Sequence, residues 1–225
     1  MTDRHEHAES RATTERKLTT AASLIPPQPT IEKLRRVAAQ CRACPLWQVG
    51  TQTVFGEGSS RAKVILVGEV PGNDEDLQGR PFVGPAGKLL DHVLEEVGIK
   101  RDEIYLTNVV KHFKWEPAGK RRIHKKPNAR EIAACRPWLD AELAVVKPEV
   151  LVCLGATAAQ ALLGKQFRVS RQRGELIPSS LAHYVMATVY PSSVLRAPDD
   201  EQRRAARQGF VKDMKKVAQV IHRSR

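Results

Sequence analysis

Four short stretches of this chain are apolar almost throughout. They are Val64-Ile65-Leu66-Val67, Ile104-Tyr105-Leu106, Val150-Leu151-Val152-Cys153-Leu154 and Val185-Met186-Ala187-Thr188-Val189. A strand covered on one face alternates, whereas a strand covered on both faces stays apolar, so these runs predict buried strands. Between them the apolar period changes to a helical one. Leu89, Leu90, Val93, Leu94 and Val97 share one face, as do Ile132, Cys135, Leu139, Leu143 and Val146. Ala156 to Leu163 predicts a third, short helix. Near the start, Pro26, Pro27 and Pro29 precede a helix expected from Thr30, a good N-cap, to about Gln40. A last helix carries Ala206, Phe210, Met214, Val217 and Ile221 on one face, the pattern of a helix docked on its own domain. The alternation predicts a three-layer α/β/α domain with a central four-stranded, largely parallel sheet. Residues 1–25 are polar, mixed in charge and aperiodic, and are expected to be a disordered tail. Residues 26–225 then form one domain, with no internal repeat.

Composition narrows the partners. The chain has 225 residues, 41% hydrophobic and 28% charged, ordinary for a globular protein with a real core. No run of 18 apolar residues exists, so no membrane span is expected. The opening MTDRHEHAES has no apolar signal core, which leads us to expect a cytoplasmic protein. Lys and Arg number 37 against 25 Asp and Glu, a net charge of +12 that favours nucleic acid as partner.

In open α/β sheets ligands bind at the carboxyl ends of strands. Those ends carry Gly68-Glu69-Val70-Pro71-Gly72, Thr107-Asn108, Gly155-Ala156 and Tyr190-Pro191-Ser192-Ser193. Glu69 has more than one reading: a functional carboxylate, a helix cap, or the partner of an arginine. After the first strand, Phe82 sits among Pro81, Gly84 and Gly87, outside any core period. It either stacks on a planar base or plugs the loop onto the core. Gly84, Gly87 and Lys88 bracket a helix start, where free N–H groups favour an anion. The segment Lys120-Arg121-Arg122-Ile123-His124-Lys125-Lys126 sets one histidine among five positive charges. It reads as a solvated basic loop or as a reactive histidine held against a polyanion. Cys41-Arg-Ala-Cys44, with Cys135 and Cys153, gives four cysteines. The two-residue spacing lets two thiolates reach one metal or cluster; unrelated buried thiols fit equally well, and spacing does not separate zinc from [4Fe-4S].

The runs GEVPGNDEDLQGRPFVGPAGKLLD, TNVVKHFKW, REIAACRPWLDAEL and YPSSVLR, in that order, resemble the uracil-DNA glycosylase superfamily, near its iron–sulfur family 4. The insertion KRRIHKKP resembles the signature loop of its UdgX group. The likeness spans about residues 30 to 222. It implies a [4Fe-4S] cluster on Cys41, Cys44, Cys135 and Cys153, with a structural role. It implies a flipped uracil stacked on Phe82, read by Asn108 and lined by Gly68, Val70 and Tyr190. It implies Glu69 and His124 as catalytic groups, with Arg122 organising the loop and Glu69 as its candidate partner. Lys88, Lys120, Arg121, Lys125, Lys126, Ser192, Ser193 and Arg196 are the expected DNA contacts. The group's distinctive outcome would be a stable covalent DNA–protein adduct through His124, formed on uracil-containing, preferably single-stranded DNA. A bacterial cytoplasmic monomer is expected. A hydrolytic glycosylase and a non-catalytic uracil-DNA binder are the alternatives.

Two positions depart from the UdgX pattern. Val70 stands where that group carries glutamine, and Tyr190 where the family has the histidine of His-Pro-Ser. A tyrosine hydroxyl still donates but is neutral and reaches farther, so slower or altered excision is expected.

Overall fold

A computed structural model describes residues 20–223. The elements are α1 (Ile31–Ala38), β1 (Glu57–Gly58), β2 (Val64–Gly68), α2 (Asn73–Gln78), α3 (Pro85–Glu96) and β3 (Ile104–Asn108). They continue with β4 (Trp115–Ala118), β5 (Arg121–His124), α4 (Ala129–Val146), β6 (Val150–Leu154), α5 (Ala156–Leu163) and α6 (Val169–Gln172). The last are β7 (Ile177–Pro178), β8 (Tyr184–Thr188), α7 (Pro191–Leu195) and α8 (Asp200–Arg223).

The four apolar runs become β2, β3, β6 and β8, parallel to one another. The sheet has six strands rather than four, in the order β1-β3-β2-β6-β8-β7. The two extra strands are two-residue antiparallel edges, too short to leave an alternating signature. Successive residues of each central strand point to opposite faces. Ile65, Val67, Tyr105, Leu151, Cys153, Val185 and Ala187 join a core with Leu34, Cys135, Trp138 and Ala158. Val64, Leu66, Ile104, Leu106, Val150, Val152 and Met186 join a second core with Leu90, Val93, Phe210 and Met214. One layer of helices (α1, α4, α5) therefore covers one face, and α3 with α8 the other. The three-layer expectation holds.

Helix starts follow their caps. Thr30 accepts from the Lys33 amide, and Asn128 with Glu131 forms a reciprocal capping box before α4. The expected tail is shorter at its folded end: Ala21–Leu24 forms a 3-10 turn with Ala21 fully buried. The rest of that tail, residues 1–19, lies outside the described residues. Among the described residues no helix is long and apolar enough to cross a membrane.

The basic segment is not a loop. β4 and β5 pair as an antiparallel hairpin, with Trp115 opposite His124 and Pro117 opposite Arg122. Gly119 takes a left-handed φ of 60° in the two-residue turn before Arg121. Period-two alternation then puts Trp115, Arg122 and His124 on the inner face, and Glu116, Arg121 and Ile123 outside.

Candidate active site

A cleft of about 630 Å³ opens at the carboxyl ends of β2, β6 and β8. Its lining includes Glu69, Val70, His124, Lys126, Tyr190, Ser192 and Arg196. Gly68, Phe82 and Asn108 are not among the lining residues; they form a close-packed floor behind it, against the lining residues Glu69 and Tyr190. Gly68 and Asn108 are partners across β2 and β3. A methyl group on Gly68 would collide with Asn108 Oδ1 and the edge of the Phe82 ring, so glycine is required there. Asn108 is 2% exposed, and its Oδ1 has no hydrogen-bond partner within the described protein. A buried carbonyl left open beside an aromatic ring is a place for a ligand donor. Phe82 is buried with a φ of 57°, an uncommon conformation for an aromatic residue. Gly87 admits the close approach of its backbone. Tyr190 faces Phe82 with ring centroids 6.4 Å apart and planes at 40°. Its phenol is pushed well above the ordinary range by burial, then by the carboxylates of Glu75 and Glu69. It enters the cleft as a neutral donor.

His124 stands at the lip. Its Nε2 lies 3.8 Å from Glu69 Oε1. The other Glu69 oxygen accepts from the Thr157 hydroxyl at the start of α5. Burial lowers the His124 pKa from 6.5; Glu69 opposes this, while Arg196 and Lys126 add to it. The imidazole is therefore biased towards the neutral form at neutral pH.

Arg122 does not pair with Glu69. It meets Asp76 at 2.6 Å, Asn73 at 2.8 Å and Thr51 at 3.2 Å, and lies over the Phe113 and Trp115 rings. Asp76, wholly buried, also accepts from the Thr51 amide and hydroxyl. Trp115 Nε1 donates to the Val49 carbonyl at 2.7 Å. These contacts tie the hairpin to α2 and the loop before β1. Arg122 places His124 from a distance.

The expected DNA contacts separate into groups. Lys126, Ser192 and Arg196 line the cleft, and Arg196 donates to Ser192 Oγ at 2.8 Å. Lys120 and Arg121 are exposed at the hairpin tip and outer face, and Lys88 is exposed on α3. Lys125 pairs with Glu116 at 2.7 Å. The Ser193 hydroxyl donates to the Tyr190 carbonyl, a helix-start contact outside the cleft lining.

The four cysteines stand in different surroundings within one core. Two sulfurs accept an N–H, Cys41 from Trp138 Nε1 at 3.3 Å and Cys135 from the Lys111 amide at 3.3 Å, and a third, Cys44, is buried just before a 3-10 turn at Pro45–Gln48. These three also interact electrostatically with one another. Cys153 sits inside β6 between Val67 and Ala187, and burial alone raises its thiol, to about 12. It fills the sheet core as a small apolar side chain would. Two of the other three are linked to His112 through shared neighbours. His112 is 5% exposed, directly follows the Lys111 amide that bonds Cys135, and lies 2.9 Å from the Thr53 hydroxyl. That hydroxyl donates to the Ala38 carbonyl, which also accepts from the Cys41 amide. Burial lowers the His112 pKa to about 4, so the ring is neutral and can offer a nitrogen to a metal. Among the described residues no three such side chains close on a single ion. Ligands of a polynuclear cluster stand farther apart.

A family model described as the uracil DNA glycosylase superfamily matches residues 55–215. The chain belongs to that superfamily. It is 39% identical over 180 residues to the type-4 uracil-DNA glycosylase of Thermotoga maritima, covering 78% of this chain and 90% of that one. The type-4 enzyme of Sulfurisphaera tokodaii is 34% identical over 202 residues, covering 85% and 84%. That of Archaeoglobus fulgidus is 34% identical over 198 residues, covering 85% and 93%.

Within this superfamily frame, the residue pattern alone had missed four participants. Thr157 and Asp76 lie in helices with nothing local to mark them; their partners Glu69 and Arg122 are 88 and 46 residues away. His112 and Lys111 stood in the quoted segment TNVVKHFKW without an assigned role. A Lys-His pair a few residues beyond a predicted strand end was the available signal.

Proposed function

We propose that this protein is a uracil-DNA glycosylase of the UdgX kind. It removes uracil from DNA, preferring single strands, and is then joined to the sugar through His124. The observation that carries this reading is the cleft's division of labour. A stacking ring and an open carboxamide form the floor, and a neutral-biased imidazole faces a carboxylate at the lip.

The chemistry follows from charge. As the C1′–N1 bond breaks, both electrons go to uracil, leaving an anionic base and an oxocarbenium-like sugar. Asn108 meets the pyrimidine edge, where its carbonyl accepts the N3–H of uracil and would face the N3 lone pair of cytosine. Phe82 supplies stacking without identity. Tyr190 supplies a neutral hydroxyl towards the leaving base. Glu69 stabilises the sugar cation and then the imidazolium. A neutral imidazole nitrogen supplies the electron pair for the new bond to C1′. The remaining ring N–H proton passes through solvent to the released uracil anion, leaving a neutral N-substituted imidazole and neutral uracil. Lys126 and Arg196 hold phosphates beside the cleft.

The cysteine site supports an iron–sulfur cluster held by Cys41, Cys44, Cys135 and His112. Two N–H donors already aimed at sulfur, and a third buried thiol beside them, are what thiolate ligands need. Such a cluster would supply a covalent brace between α4, the loop after α1 and the segment after β3. Visible absorbance and iron content test the ligand set. His112→Ala and Cys135→Ala should lose both, while Cys153→Ala keeps them; cluster loss from Cys153→Ala refutes it.

Intact mass after incubation with a short uracil-containing oligonucleotide tests the central claim. The expected species is protein plus oligonucleotide minus uracil. Bound DNA with no such species overturns it. The likeness to type-4 enzymes favours hydrolytic excision as the second reading, marked by free abasic product and turnover.

A further inference from the structure

The base slot and the cysteine site are joined by one short segment, residues 107–112. Asn108 lies at its start, and Lys111 and His112 at its end. Lys111 is 1% exposed and Glu142 of α4 is fully buried; they meet at 2.6 Å. Every ammonium hydrogen has a partner. Lys111 Nζ donates to Glu142 Oε2, to Thr107 Oγ1 at 2.5 Å and to the Asn108 carbonyl at 2.8 Å. The Phe55 ring covers it at 5.4 Å. Glu142 Oε1 accepts from the Gly56 amide, the Tyr105 hydroxyl and Thr107 Oγ1. The Lys111 amide reaches Cys135 Sγ. Cys135 and Glu142 are seven residues apart on α4, two turns along one face.

A buried ion pair is a poor device for stability alone, since apolar residues of equal volume often do as well. This pair spends one of its hydrogen bonds on the backbone of the residue at the base slot. We infer that Lys111, held by Glu142, is a positioning residue for uracil recognition. It fixes the Asn108 carbonyl, and so the carboxamide, to the helix that carries Cys135. The inference rests on the proposed role of Asn108 in reading the base.

The test compares two charge-free doubles in the full-length, cluster-loaded protein. Lys111→Met/Glu142→Gln removes both charges and the donor to Asn108, while the carboxamide oxygen introduced by Glu142→Gln still accepts from Gly56 and Tyr105. Lys111→Gln/Glu142→Gln restores an amide donor. The Met form should keep wild-type iron content, and wild-type affinity for a uracil-free strand. Its single-turnover uracil release should fall about 10- to 100-fold, with a matching loss of uracil-over-thymine preference. The Gln form should recover most of the rate. A folded Met form with wild-type rate and preference overturns the inference, since the pair is then only packing. If the Met form does not fold, the Gln form decides. A near-wild-type rate supports the inference, and a loss as large as that of Asn108→Ala defeats it. Asn108→Ala is measured alongside. If it releases uracil normally, the reading of Asn108 fails, not the geometry of its anchor.

Discussion

Asn108 and Phe82, on the floor of the cleft, are 2% and 6% exposed; the His124 side chain, at its lip, is 46% exposed. The floor is made by the sheet itself. Gly68 and Asn108 end adjacent parallel strands, and Phe82 is wedged against them in a left-handed backbone conformation. The lip is a two-stranded hairpin, which has no stability of its own in water. It depends on a few side-chain ties: Arg122 to Asp76, Asn73 and Thr51, and Trp115 to Val49. Under the proposed mechanism, the difference teaches that recognition and attachment are built on separate supports. A change at the lip can remove the covalent step and leave base recognition whole. A change on the floor should harm both.

The sharpest break in that comparison is His124→Ser. It should abolish the adduct on a denaturing gel while uracil-DNA binding persists, and some hydrolytic release of uracil remains. Adduct formation by this variant would show that another residue carries the nucleophile.

Next in size is Asn108→Ala. Loss of one preorganised group at a leaving anion costs about 10²–10³ in rate. Because the floor serves both steps, uracil release and adduct formation should fall together. Adduct yield per uracil released should be unchanged. A variant that releases uracil normally but loses the adduct would collapse the distinction between floor and lip.

Arg122→Ala tests the lip's fastening. It removes charge-assisted hydrogen bonds to a buried aspartate, a cost of about 1–3 kcal/mol in stability. Asp76 keeps its two bonds from Thr51, so the fold should survive. Adduct formation should slow about tenfold or more, with uracil release affected less. Equal losses in both steps would mean that Arg122 serves the floor.

The floor was far more legible in the sequence than the lip. Four all-apolar runs announce strands buried on both faces, and strand ends in such a sheet bring Glu69, Asn108 and Tyr190 together by topology alone. The hairpin left no such trace. Arg121, Arg122, Ile123 and His124 are nearly all charged or polar, so no hydrophobic alternation marks an inner face. What selects that face is the Arg122–Asp76 ion pair across 46 residues, an interaction no local pattern encodes. The edge strands were missed because two residues carry no period. Cys153 is set apart in the proposed ligand set for a different reason. The resemblance implied one four-thiolate site, whereas a fully buried central strand accepts a thiol simply as a small apolar group.

The pH profile of adduct formation is the mildest probe, and it reports on the lip alone. In the proposed mechanism His124 must be neutral to attack, and its pKa is lowered from 6.5, first by burial and then by Arg196 and Lys126. A lowered pKa keeps the ring neutral as pH falls, so the single-turnover rate should be nearly flat from about pH 8 to 7. It should decline only as pH drops through the lowered value, below that of an exposed histidine. Arg196→Gln removes one of the cations that disfavour imidazolium, so the decline should begin at higher pH. Glu69→Gln acts in the opposite direction, because the carboxylate favours the charged ring; the decline should move to lower pH even as the maximal rate falls. Uracil binding by the floor involves no group that titrates in this range. It should stay level while the attachment step falls, separating the two supports within a single titration.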